Sequence, residues 1–203
     1  MKRMLWLIVI ALAVPIAAFA HSSVDFTNGG GTLTGSNAGL SLTGSALIAV
    51  NGLGGLGLIT GNNLGSVSFT TGTFSGDLQM GGTFAGGPGT SFVITGNGTA
   101  GIPNGVIFNG SFSGPVTWTL VTLANGTHNY TMTGSLTGTW YNGQTVFGAT
   151  VQLTINTGKG FFDGSIDIAS GDTNIVVAEP GSLTLLGTGL IGLAGALHRK
   201  LKT

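Results

Sequence analysis

The sequence predicts an all-β fold: an antiparallel meander of about ten strands closed as a sandwich or a barrel. An N-terminal signal peptide is expected before it and a C-terminal transmembrane helix after it. Three observations predict this. Apolar and polar residues alternate with period two through much of the chain, Asn-Gly and Gly-rich clusters separate the alternating runs, and the two long apolar segments lie at the ends. Strands with one apolar face, in that number, must close on themselves to bury it.

The N-terminal segment "MKRMLWLIVIALAVPIAAFA" places Lys2 and Arg3 before an apolar run from Met4 to Phe19. It ends in Ala18-Phe19-Ala20, the small-x-small pattern that signal peptidase accepts. Residues 1–20 are therefore read as a signal peptide cleaved after Ala20, with the mature chain starting at His21. An uncleaved anchor is the competing reading, and Pro15 with the small residues before His21 favours cleavage.

Residues 21–176 form the expected Gly/Thr-rich β domain. Alternation is strongest in its second half. In "HNYTMTGSLTGTWY" the residues Tyr130, Met132, Leu136 and Trp140 alternate with Thr131, Thr133, Ser135, Thr137 and Thr139. In "QTVFGATVQLTIN" the apolar set is Phe147, Ala149, Val151, Leu153 and Ile155. In "FFDGSIDIA" it is Phe162, Ile166 and Ile168, with Asp163, Ser165 and Asp167 opposite. Asn125-Gly126 and Asn142-Gly143 fall between runs, where Asn-Gly favours a type I′ turn. Residues 115–169 thus read as a four-strand antiparallel meander. The first half holds similar runs, among them "LSLTGSALIAV", "GSVSFTTGTFSG" and "GVIFNGSFSG". A soft Gly-x-(Phe/Leu)-x-Gly motif starts at Gly72, Gly82, Gly110 and Gly134. Its spacings of 10, 28 and 24 are too irregular for a solenoid.

Composition excludes several functions. The 203 residues contain no cysteine, which removes disulfides, thiolate metal sites and Cys nucleophiles. Only 6% of residues are charged, and between His21 and Val177 five aspartates face one lysine, a net charge of −4. Such a surface neutralises few phosphates, so no nucleic-acid partner is expected. With 42% hydrophobic residues and a net charge near zero, the chain is not of the disordered class.

Chemistry-bearing patterns are weak. "GLGGLG" at Gly52, Gly54 and Gly57, with Asp77 downstream, matches the dinucleotide fingerprint. Glycine occupies 39 of 203 positions, and turn and strand residues follow the motif instead of an amphipathic helix. Asp163, Asp167 and Asp172 are the only acidic concentration and are weak candidates for a calcium site; a solvated edge strand is the favoured reading. His21, His128 and His198 give no sign of converging. Trp118, Trp140, Tyr130 and Tyr141 suit a sugar-binding face, although Trp118 and Trp140 sit on apolar faces where core packing is favoured. Asn97, Asn109, Asn125 and Asn129 fit Asn-x-Ser/Thr, a pattern expected by chance in so Asn-, Gly- and Thr-rich a chain. No catalytic residue, no metal site and no cofactor is assigned.

The C-terminal segment is the most informative. Gly181 to Leu197 is an uncharged apolar run of 17 residues, about 25 Å as a helix and near the lower limit for a membrane span. Arg199, Lys200 and Lys202, half of the Lys and Arg in the chain, follow as a stop-transfer flank on the cytoplasmic side. Before the run, Pro180 breaks any helix and keeps the preceding backbone extended.

"AEPGSLTLLGTGLIGLAGALHRK" resembles the PEP-CTERM sorting signal of Gram-negative bacteria. The matching parts are Glu179-Pro180, Ser182-Leu183, Leu185-Leu186-Gly187, Gly189-Leu190, Gly192-Leu193-Ala194 and Arg199-Lys200, with Ala178 where the family pattern usually has its first proline. The resemblance covers residues 177–203 and implies a substrate rather than an enzyme. It implies export, transient anchoring in the inner membrane by the tail, and processing near Ala178, Glu179 and Pro180 by an exosortase. The implied partners are signal peptidase, the exosortase, the membrane and an exopolysaccharide. The implied destination is the cell surface or the extracellular matrix. The body of the chain resembles only uncharacterised Gly/Thr-rich exported proteins. The alternatives are an outer-membrane β-barrel, which also combines a signal peptide with alternating strands, and a carbohydrate-binding surface protein.

Overall fold

The computed structural model describes residues 21–178. The signal peptide at 1–20 with Ala18 and Ala20, the motif residues Glu179 and Pro180, the apolar run 181–197 and the flank Arg199, Lys200 and Lys202 lie outside those residues. Among the described residues no helix is long and apolar enough to cross a membrane.

Thirteen strands occupy the described residues, where the sequence predicts about ten. The first seven are β1 (His21–Gly29), β2 (Thr32–Ser36), β3 (Gly39–Asn51), β4 (Ile59–Thr70), β5 (Phe74–Asp77), β6 (Gly81–Phe84) and β7 (Ser91–Asn97). The remainder are β8 (Asn104–Phe112), β9 (Val116–Thr122), β10 (His128–Trp140), β11 (Thr145–Gly158), β12 (Ser165–Asp167) and β13 (Ser170–Ala178). Four of the thirteen are short, three to five residues long. β12 lies in the run "FFDGSIDIA" and β5 overlaps "GSVSFTTGTFSG", so the larger count comes from apolar runs that the structure divides into two strands.

Eight strands close a barrel in the order β1-β3-β4-β7-β8-β10-β11-β13, with β13 returning to β1. The other five build two flaps, β12-β2 on β3 and β5-β6-β9 on β10. The predicted all-β class therefore holds, and both closures contribute: a barrel with a sandwich-like extension. The flaps grow from strands that serve two neighbours along one edge. β10 pairs with β9 over His128–Thr133 and with β8 over Leu136–Trp140. β3 pairs with β2 over Gly39–Thr43 and with β1 over Ala46–Asn51. A glycine stands at each fork. Gly134 passes under the Phe112 ring, where a Cβ would lie 2.9 Å from two ring carbons. Gly44 takes φ 70° at a register shift between β3 and β4.

The meander expected over 115–169 holds for β9, β10 and β11 and then stops. The segment after β11 leaves the barrel, buries Phe162 and pairs as β12 with β2. β13 takes the vacated edge of β11. Burial of Phe162 decides this: its ring lies 5.4 Å from that of Trp118 and 6.1 Å from that of Tyr130, filling the space between the two flaps. Aromatic burial of this kind contributes about 1.5–3 kcal/mol per ring.

The Asn-Gly turns differ from type I′, which needs positive φ at both central residues. Among the described residues Ala100 is the only non-glycine with positive φ. Each loop instead has three residues, closed by bonds from Leu123 N–H to the Thr127 carbonyl and from Trp140 N–H to the Gln144 carbonyl, both 2.8 Å. Gly126 and Gly143 carry the positive φ, at 79° and 85°. Asn125 and Asn142 serve through their side chains, each Oδ1 accepting the N–H two residues on at 3.0 Å.

Apolar side chains fill the barrel, as eight strands allow. Phe69, Phe92, Phe108 and Phe112 form one cluster of stacked and edge-on rings, and Phe26 packs edge-on against Trp140. Phe147 apart, the outward positions of β10 and β11 are Thr, Ser, Asn, Gln and Gly. An outer-membrane barrel needs the opposite arrangement, an apolar band facing lipid and a polar interior.

Candidate functional site

The outward face of β9, β10, β11 and β13 carries a contiguous set of unengaged polar side chains. Backbone pairing aligns them in ranks. One runs Thr83–Thr117–Thr133–Gln152–Asp172 from β6 to β13. The next runs Ser135–Thr150–Asn174. Neighbouring strands are about 4.8 Å apart and successive ranks about 7 Å, so hydroxyl and amide groups recur at the scale of a sugar ring and its substituents. The side chains of Thr117, Thr133, Ser135, Thr150, Gln152 and Asp172 make no hydrogen bond among the described residues. Two outward hydroxyl pairs elsewhere on the barrel bond to each other, Ser66–Thr95 at 2.7 Å and Thr70–Ser91 at 2.8 Å.

Two adjoining depressions mark this face. One, of about 360 Å³, is lined by Thr117, Thr133, Ser135, Thr150 and Gln152 beside Pro115. The other, of about 450 Å³, is lined by Thr150, Gln152, Asp172, Asn174, Asp25 and Leu58 among others. Thr150 and Gln152 belong to both, so the two meet across β11. At the far side Asn174 Nδ2 donates to Ser23 Oγ at 2.7 Å and to Asp25 Oδ1. That fork fixes the Asn174 amide and leaves the Asp172 carboxylate facing water. Neither depression contains a Lys or Arg. Lys159, in the segment after β11, is the single such residue among those described.

The sequence-derived candidates are placed differently. Trp118 and Tyr130 are fully buried and stacked, with ring centroids 5.0 Å apart. Trp118 Nε1 donates to the Leu78 carbonyl at 2.9 Å and Tyr130 Oη to the Gln79 carbonyl at 2.8 Å. Trp140 is buried too, so of the four proposed sugar-face aromatics only Tyr141 is exposed. Burial wins because each ring lies on the inward side of its strand or against the core, and core packing satisfies the polar atoms of Trp118 and Tyr130.

The aspartates do not come together as a metal site. Asp163 is in the loop before β12, Asp167 accepts a 2.8 Å bond from Thr32 Oγ1, and Asp172 faces Gln152 on β13. Among the described residues no group of three or more His, Asp or Glu side chains could hold a metal ion. His128 sits apart from all of them, with Nδ1 3.1 Å from the Gly160 carbonyl and its ring stacked on Phe161 at 4.2 Å. The side chain of His21 and all of His198 lie outside the described residues. "GLGGLG" forms a single 3-10 turn, Leu53–Gly55, leading into β4. Without a helix N-terminus it offers no phosphate site.

Sequence reasoning missed Phe147. Alternation places it with the inward set of β11, yet it is 77% exposed, the most exposed large apolar side chain among the described residues. The cause is a bulge. Leu136 opposes Ala149 and Thr137 opposes Phe147, so Gly148, at φ 80°, is skipped. Inward alternation resumes at Val146, and Phe147 turns out onto the polar face. The signal in sequence was the glycine inside a strand.

No protein-family model matches this chain, and neither a curated protein sequence nor a solved structure does. The fold and this face therefore carry the functional reading.

Proposed function

We propose that the chain is an exported, non-catalytic cell-surface protein whose barrel holds an uncharged polysaccharide on the outer face of β10, β11 and β13. The observation that carries this reading is the pair of adjoining depressions lined by unengaged hydroxyl and amide groups without a cation. Such a surface offers donors and acceptors at sugar spacing and has no means of neutralising a polyanion. The resemblance of residues 177–203 to a sorting signal supports the export and anchoring, with an exosortase acting near Glu179-Pro180 and an exopolysaccharide as the neighbouring polymer.

An outer-membrane barrel has the eight-strand closure in its favour, but its wall would expose Thr, Ser and Gln to lipid tails, each an unsatisfied polar group in that setting. The test is affinity electrophoresis of the full-length protein, in mild detergent, through gels containing laminarin, hydroxyethyl cellulose or alginate. Retardation by an uncharged polymer and none by alginate is expected. Heat-modifiable migration from an outer-membrane fraction, with no retardation by any polymer, overturns the reading. For the sorting part, mass spectrometry of the surface-isolated protein should find a chain starting at His21 and ending near Pro180; an intact Lys202-Thr203 terminus sinks it.

A further inference from the structure

We infer that Phe147, presented by the Gly148 bulge, is the stacking platform of the polysaccharide face. The inference rests on the polysaccharide reading above. Phe147 opposes Thr137, and Thr137 lies two residues along β10 from Ser135, a step of about 7 Å. Ser135 and Thr150 line the first depression. The ring therefore stands one rank from these hydroxyl groups, on the same face.

A scattered exposed apolar residue needs no explanation, but this one is turned outward by a local break in the strand. Without the bulge, the alternation that buries Ala149, Val151, Leu153 and Ile155 would bury Phe147 as well. Bulges re-aim side chains in this way, at the cost of a ladder interruption. The chemistry of the neighbours sets the occupant. A ring flanked by hydroxyl and amide groups matches a molecule with one apolar face and a polar rim. A pyranose, with axial C–H groups on its ring faces and hydroxyl groups around its rim, is such a molecule. A second protein copy is less well matched, because the outward positions next to Phe147 on β10 and β11 are polar and uncharged, without the apolar area an interface core needs.

The test compares the full-length protein with Phe147→Ala and Phe147→Trp in the same gels, using laminarin and hydroxyethyl cellulose as probes. The expected result is a loss of about tenfold in affinity for both polymers in Phe147→Ala, with retention in Phe147→Trp. Titration of Phe147→Trp with laminarin should also shift the tryptophan emission, which a structural role would not produce. Equal thermal unfolding of the three proteins verifies that the fold is unaffected. Undiminished binding by Phe147→Ala overturns the platform while leaving the polysaccharide reading intact. Absence of binding by the parent protein removes both. Conversion of a dimer to a monomer by Phe147→Ala, with binding unchanged, reassigns the residue to self-association and overturns the inference.

Discussion

The phenol oxygen of Tyr130 accepts the backbone N–H of Phe162 at 3.1 Å. The same oxygen donates to the Gln79 carbonyl at 2.8 Å, so one side chain ties the segment after β11 to the turn before β6. Both flaps of the barrel are anchored at this atom, in a fully buried position.

Tyr130→Phe removes the shared oxygen and leaves a buried N–H and a carbonyl without it. Stability should fall by about 1–3 kcal/mol. For a domain of this size that is a few degrees of Tm per kcal/mol, read by thermal or chemical unfolding. An unchanged Tm would show that the flaps hold without this bond.

Thr173 presents the converse case. It is 1% exposed, and its Oγ1 has no hydrogen-bond partner among the described residues. Thr173→Val replaces the hydroxyl by a methyl of similar size and should raise stability by about 1 kcal/mol. Destabilisation in urea unfolding would mean that the hydroxyl is satisfied in solution.

Gly134 is required where β10 exchanges β9 for β8. The added methyl of Gly134→Ala would meet Phe112 at 2.9 Å and Val116 Cγ2 at 3.3 Å. With Phe112 fully buried the overlap has little room to relax, and a loss of about 1–3 kcal/mol is expected. Chemical denaturation measures it, and a neutral result would show that the fork tolerates a side chain.

Gln152 lies in both depressions. Gln152→Ala should weaken retardation by laminarin several-fold with Tm unchanged, since the side chain is exposed and makes no internal hydrogen bond. Binding of an uncharged polymer should also be nearly constant between low and physiological salt, because no ion pair is available to screen. A steep salt dependence would point to a charged ligand.

The forks show where reading the sequence stops. Thr133-Gly134-Ser135 and Thr43-Gly44-Ser45 both mark a fork, and Thr34-Gly35-Ser36 repeats the tripeptide in β2, which does not fork. At Gly35 the missing side chain instead admits the Phe162 ring, with a Cβ position 2.9 Å from its Cε1. The same three residues thus serve different ends according to which distant ring arrives. For the candidate site, the Thr and Ser alternation was legible, while the contributions of Asp25, Asp172 and Asn174 depend on strands nearly 150 residues apart.

By itself the sequence determined the strand class, the inward set of β10 and the uncharged polar character of the outer face, because period two is a local property of the extended chain. Closure of the barrel by β13 beside β1, departure of β12 to β2, and the outward turn of Phe147 were decided by tertiary structure. Each depends on a long-range choice: which edge is still unpaired, which cavity an aromatic ring fills, and whether a glycine is skipped by its partner strand. Local alternation carries no record of those partners, and so the polar face was visible from the sequence while the aromatic ring beside it was not.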